Sequence, residues 1–143
     1  MTQTPSRPTG VNKLHHIAVA VHSIVEALPA FADALGLIVT HTEEVAGQGV
    51  RVAVLPVGET LLELVEPTNP EGTVARFLQR QGEGIHHICF EVDDLDATLA
   101  QLKERGMRLV DEKPRQGVEG ARIAFVHPSS THGVLIELHE KEE

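Results

Sequence analysis

The sequence predicts an α+β fold made of two βαβββ modules, and three observations carry that prediction. First, "LHHIAVAVHSIVEA", starting at Leu14, is nearly repeated by "IHHICFEVDDLDA", starting at Ile85. Second, each copy runs from an alternating, strand-like stretch into a helix-like one that ends at a glycine. Third, the last strand-like stretch of each half holds a glutamate inside an apolar run, in "LLELVEP" (61–67) and "VLIELHE" (134–140). Self-similarity repeated at half the chain length is the mark of a duplicated unit.

Taken in order, residues 14–21 alternate and are rich in Ile, Val and Ala, which predicts a strand. Residues 23–35 place Ile24, Val25, Leu28, Phe31 and Leu35 at helical spacing, with Ser23 as N-cap and Gly36 as the stop. Pro29 falls inside that stretch and predicts a kink. Strands are expected over 37–44, 49–57 and 60–66, separated by "AGQG" and "VGET". The segment "PTNPEGTVARFLQRQGEG" is a connector, with "TVARFLQRQ" as a short helix. The second module repeats the plan: a strand over 85–92, a helix over 94–105 with Leu95, Leu99 and Leu102 on one face, then strands near 107–113, 120–127 and 133–139. The expected organisation is a lead-in over 1–12, a first module over 13–67, a connector over 68–84 and a second module over 85–140.

The bulk numbers narrow the function. A chain of 143 residues suits one compact domain or two small modules sharing a core. A formal net charge of −9 argues against a nucleic-acid partner, which needs a basic face. It still permits an anionic small substrate, because a metal or a few arginines reverse the field locally. No apolar run is long enough to span a bilayer, so no membrane partner is expected. Cys89 is the sole cysteine, so no internal disulfide forms. "MTQTPSRPTG" lacks the apolar core of a secretory signal and reads as a flexible start, so a cytoplasmic setting is expected. Tyr and Trp are absent, which removes the usual stacking platforms.

Strand alternation selects candidate functional residues. His16 shares a strand face with Ala18 and Ala20, and His87 shares one with Cys89 and Glu91. His15 and His86 fall on the opposite faces, beside bulkier apolar residues, and are expected to be hydrogen-bonded structural histidines packed under the helices. A carboxylate within an apolar strand is costly unless it is paired, so Glu63 and Glu137 need arginines or a metal. His16 and Glu63 lie 47 positions apart and His87 and Glu137 lie 50 apart, so two packed modules would bring both pairs to equivalent places. A clustered N/O set of that kind points to a divalent metal.

At these residues the sequence resembles the vicinal oxygen chelate superfamily, and within it the methylmalonyl-CoA epimerases. The resemblance spans 13–140 and is carried by "GEGIHHICFEVDDLDATLAQLKERG" (82–106), "HPSSTHGVLIEL" (127–138) and "ARFLQRQGEG". It implies a glyoxalase-like fold in which the paired modules form a cup-shaped, partly open mixed sheet around one ion. Position by position, the implied ligands are His16, Glu63, His87 and Glu137. The resemblance favours Co²⁺, and the donor set also suits Mn²⁺, Ni²⁺ or Zn²⁺. The implied reaction is epimerisation of (R)- and (S)-methylmalonyl-CoA by proton transfer at C2 through a metal-stabilised enolate. Glu137 is the first candidate base. The glutamate that serves as opposing base on the third strand of some relatives aligns with Val52 here, which leaves Glu63, displaced from the metal, or a water positioned by Gln48 for that role. Ser129 and Ser130 are candidates for the acyl pocket, and Arg51, Arg115 and Arg122 for CoA phosphates. A homodimer is implied as well. The rival readings are a glutathione-dependent glyoxalase I, which shares the ligand set, and a metal-free small-molecule-binding member, which would lack it. A ring-cleaving dioxygenase fits less well, since that class uses two histidines and one carboxylate around iron.

Overall fold

A computed structural model of the chain describes residues 10–142. Most of the expected lead-in lies outside those residues, and strand β1 (Val11–Ala20) begins three residues before the alternating stretch. The first module continues with α1 (Ile24–Leu28), β2 (His41–Val45), β3 (Val50–Val57) and β4 (Thr60–Pro67). Helix α2 (Thr73–Gln81) forms the connector. The second module is β5 (Gly84–Val92), α3 (Leu95–Glu104), the two-residue β6 (Arg115–Gln116), β7 (Arg122–Val126) and β8 (Ile136–Glu140).

Local chemistry sets these boundaries. The Ser23 hydroxyl accepts from the Glu26 amide at 3.2 Å and starts α1. The α-helix stops at Leu28, and the chain winds on through Pro29–Ala34 as a π-helical turn, closed by the Leu35 amide on the Ala30 carbonyl. Asp94 caps α3 by accepting from the Ala97 amide at 3.0 Å. Gly36 and Gly106 follow the first and last helices with φ of 81° and 82°, a conformation that favours glycine.

The largest departures from the expected strands fall at 37–44 and 107–113. Residues 37–40 lie outside the ladder; the Leu37 amide still reaches back to the Phe31 carbonyl, so the helix exit uses up chain before pairing begins at His41. The 107–113 stretch forms one isolated bridge, Leu109 to Val126. There the amides of Val110 and Asp111 share the Phe125 carbonyl and the His127 amide bonds the Arg108 carbonyl, but the Asp111 carboxylate takes the Phe125 amide, so a side chain interrupts the backbone ladder.

All eight strands form one mixed, curled sheet in the order β2-β3-β4-β1-β5-β8-β7-β6. The modules are joined at its centre, where β1 and β5 run antiparallel. Each opening strand also pairs in parallel with the last strand of its own module, β1 with β4 and β5 with β8. This is the cup of paired βαβββ modules that the repeat predicts. Val19, Val21, Ala53, Leu55 and Leu64 pack on the outer face under α1, and Phe90, Val92, Ala124 and Leu138 pack under α3. The inner face carries Ala18, Ala20, Val52, Val54 and Val65, with Val74 and Leu78 of α2 against them.

The central seam is not regular. Leu14 pairs with Phe90 and His16 with Cys89, which leaves His15 as an extra residue on β1. Ala18 pairs with His87 and Val19 with Ile85, which leaves His86 as an extra residue on β5. Each histidine pair therefore contains a β-bulge, placed symmetrically about the Ile17–Ile88 pair.

Candidate metal centre

Register builds the centre from two adjacent rows on the inner face. One row runs Glu63, Ala18, His87 across β4, β1 and β5. The other runs His16, Cys89, Glu137 across β1, β5 and β8. Each row takes side chains from both modules. Ala18 and Cys89, both 0 % exposed, are the small residues between the functional ones and leave the floor open above them.

The four residues selected from sequence are all buried. Three of them converge. His16 Nε2 and His87 Nε2 stand 3.2 Å apart, and Glu137 Oε1 lies 3.1 Å from the first and 2.8 Å from the second. Two imidazole nitrogens and one carboxylate oxygen facing a common point fit a divalent cation. Glu63 is not in that triangle: its Oε2 lies 3.3 Å from His16 Nδ1, on the other side of the imidazole. Burial pushes the Glu63 carboxyl up to about 7, with the nearby Glu137 and Glu43 charges adding to the rise against the pull of His16. A buried carboxyl so poorly compensated is itself a fit for a cation. Burial would also raise Glu137, yet hydrogen bonds from His16 and His87 hold it well below the usual carboxylate range. Burial lowers His16, and the Glu137 hydrogen bond with the Glu63 charge more than reverses this.

The bulges correct the alternation argument for His15 and His86. The extra residue turns each into the cup beside its neighbour instead of under a helix. His15 lines a cavity with His16, Lys13, Glu63 and Glu137, and His86 lines the adjoining one with His87, Gln48 and Arg115. The expectation that both are hydrogen-bonded is met by their partners: His15 Nδ1 lies 2.8 Å from His16 Nδ1, and His86 Nδ1 lies 2.8 Å from His87 Nδ1. Burial lowers His15 to about 3, with the His139 and His16 charges adding to the fall, and lowers His86 to about 4. The His15 ring also stacks on His139 at 3.9 Å between centroids.

The other candidates divide. Gln48 lines the cavity that holds Glu63 and His87. Ser130 Oγ accepts from the Arg108 amide, and the Ser129 amide donates to His127 Nδ1, so both serines serve the turn before β8. Arg122 is held outside the cup by Glu140 and Asp96 at 2.8 and 2.9 Å. Arg51 pairs with Glu66 at 2.7 Å. Arg115 does reach the cup, with its guanidinium 5.1 Å over the Phe125 ring and Phe125 edge-on to His87. Burial pushes the Cys89 thiol up, consistent with a structural rather than a nucleophilic residue.

The sequence reading did not single out Glu43, whose charge adds to the rise of Glu63. Glu43 pairs with Val52 in the β2–β3 register, accepts from the Glu119 amide at 3.0 Å and meets His41 Nε2 at 2.9 Å.

A model of the Glyoxalase/Bleomycin resistance protein/Dioxygenase superfamily matches residues 15–125. The chain is 34% identical over 131 residues to the mitochondrial methylmalonyl-CoA epimerase of Homo sapiens, covering 91% of this chain and 74% of that protein. It is 33% identical over 132 residues to the ethylmalonyl-CoA/methylmalonyl-CoA epimerase of Cereibacter sphaeroides, covering 91% and 98%. Among solved structures, a single-residue variant of Streptomyces coelicolor methylmalonyl-CoA epimerase in complex with 2-nitronate-propionyl-CoA superposes with a TM-score of 0.89 at 37% identity, covering 92% of this chain and 96% of that one.

Proposed function

This chain belongs to the Glyoxalase/Bleomycin resistance protein/Dioxygenase superfamily and, within it, to the methylmalonyl-CoA epimerase family; from that membership we propose that it interconverts (R)- and (S)-methylmalonyl-CoA by metal-dependent proton transfer at C2. The observation that carries the metal-dependent part is the convergence of His16 Nε2, His87 Nε2 and Glu137 Oε1, each within 3.2 Å of the others. Those three side chains would hold the ion, with Glu63 as the proposed fourth donor. Co²⁺ is the proposed metal, by resemblance. A divalent ion there supplies Lewis-acid stabilisation of the negative charge that develops on the thioester oxygen.

The chain's own residues do the rest. C2 lies between a thioester and a carboxylate, so its C–H bond is already weakened as an acid. Glu137 is held as the ionised carboxylate beside His16 and His87 before an ion binds, and it is the proposed base that accepts the C2 proton while the C–H electron pair moves onto the thioester oxygen. Inversion requires the proton to return from the opposite face. Glu63, displaced from the ion, is the proposed second carrier, with a water positioned by Gln48 as the alternative. Gln48 and Arg115, on the adjoining cavity wall, are the proposed orienting contacts for the acyl end. The enzyme is proposed to work in the cytoplasm as a homodimer, by resemblance.

The test is deuterium exchange at C2 of methylmalonyl-CoA in D₂O, run beside consumption of the methylglyoxal–glutathione hemithioacetal. Exchange with the first substrate and none of the second is the expected result. Glu137→Gln should lower exchange by roughly 10²–10⁴-fold, the usual worth of one positioned acid–base group. A Glu137→Gln protein that retains its metal and full turnover refutes the assignment.

A further inference from the structure

The four histidines of the repeat form two pairs with one geometry. In each, the second histidine points Nε2 at the Glu137 oxygen and Nδ1 at the Nδ1 of the residue before it, 2.8 Å away. A ligating imidazole must present a bare Nε2 and therefore carries its proton on Nδ1. That proton needs an acceptor, and in most metal sites a carboxylate or a backbone carbonyl supplies it. Here the atom at 2.8 Å is the neighbouring imidazole nitrogen, brought round by the bulge.

We propose that His15 and His86 are positioning residues for the metal centre: each accepts the Nδ1–H of the following histidine, fixing its tautomer and ring orientation so that Nε2 faces the ion. The proposal rests on the metal-dependent reading above and adds to it a built-in support for each ligand. It also explains why the histidine is doubled in both halves. An adjacent residue can reach its neighbour's ring only where the strand is bulged, and the bulge falls at both pairs and on the same side of each. Ring contacts hold the two supports in turn: His15 stacks on His139 at 3.9 Å, and His86 meets Phe77 edge-on at 5.0 Å.

The two supports are not equal. His16 Nδ1 has a second neighbour, Glu63 Oε2 at 3.3 Å, whereas among the described residues His87 Nδ1 meets His86 alone. When His15 is removed Glu63 can take over the proton, whereas His87 is left without an acceptor. Loss of His86 should therefore cost more.

The test measures Co²⁺ affinity by chelator competition on the full chain, with circular dichroism to confirm folding. His86→Phe keeps the ring and removes the acceptor; it should weaken Co²⁺ binding about 10- to 100-fold, and His15→Phe by less. His86→Asn and His15→Asn replace Nδ1 with an amide oxygen and should restore affinity to within a few-fold. Long-range ¹⁵N–¹H spectra of the Zn²⁺-loaded wild type should show two Nδ1–H imidazoles, His16 and His87, and Nε2–H forms at His15 and His86. Folded Phe variants that bind Co²⁺ as tightly as wild type overturn the proposal, as do Asn variants no better than Phe, which would mean that packing alone is at work. A wild-type protein that binds no Co²⁺ removes the metal reading and this proposal together, an outcome distinct from either variant result.

Discussion

Glu63 and Glu137 occupy matched places in the two modules, yet their surroundings push them in opposite directions. Glu137 meets two imidazoles, while Glu63 meets one from the far side of its ring. This difference, with the two supporting histidines, sets the acid response of the metal-free protein. His15 and His86 are held neutral, at about 3 and about 4 against an ordinary 6.5. As pH falls below 6.5 the unfolded chain takes up their protons first, so folding stability drops until about pH 4 for His86 and about pH 3 for His15. Glu63 acts the other way: with a folded value of about 7 it binds its proton in the native state, so its own contribution falls as pH rises from about 4.5 to 7. Two groups oppose one across 4.5–6.5, and the urea midpoint of metal-free protein should rise from pH 5 to pH 6.5. His86→Asn should flatten that rise. A midpoint that falls over the same interval would contradict the balance. The four ligand candidates were legible at this scale because an isolated carboxylate inside an apolar strand demands a partner. Glu43 was not legible, since "HTEEV" reads as ordinary edge-strand polarity until its pairing with Val52 is known.

At the scale of elements, the modules, helices and connector could be read from periodicity and glycine stops, and the bulges could not. Alternation assumes one residue per step, and one inserted residue reverses every side chain beyond it. Leu14 accordingly pairs with Phe90, which packs under α3, while His15 lines the cup. The 107–113 stretch failed as a strand for a different reason, the capture of the Phe125 amide by the Asp111 side chain. The rows explain a composition that the sequence shows without accounting for it. Ala18 and Cys89, both fully buried, sit between the histidines and glutamates, so a larger side chain there would crowd the four candidate donors. Ala18→Leu should destabilise the fold by about 1–3 kcal/mol through overpacking and also abolish Co²⁺ binding. Urea unfolding and a Co²⁺ titration check both effects; undiminished Co²⁺ affinity would show that the floor has room that the register denies.

At the scale of the molecule, the centre belongs to neither half. His16 and Glu63 come from one module, His87 and Glu137 from the other, and the seam between β1 and β5 sets their spacing. An ion bound there should stabilise the whole chain in one cooperative transition, because unfolding either module destroys the site. At free Co²⁺ 100-fold above Kd the gain is about 2.7 kcal/mol, read as a higher Tm that returns to the metal-free value on chelation. Two separate melting transitions, only one of them metal-sensitive, would show the halves to be independent.

The modules meet through paired strands, and residues 68–83 are the covalent link between them. Two chains that traded their C-terminal halves would each rebuild the same seam, with every donor in its place. Such an exchange would pass unnoticed in any assay of chemistry and register only in mass, so the architecture admits intertwined and separate forms that share one catalytic geometry.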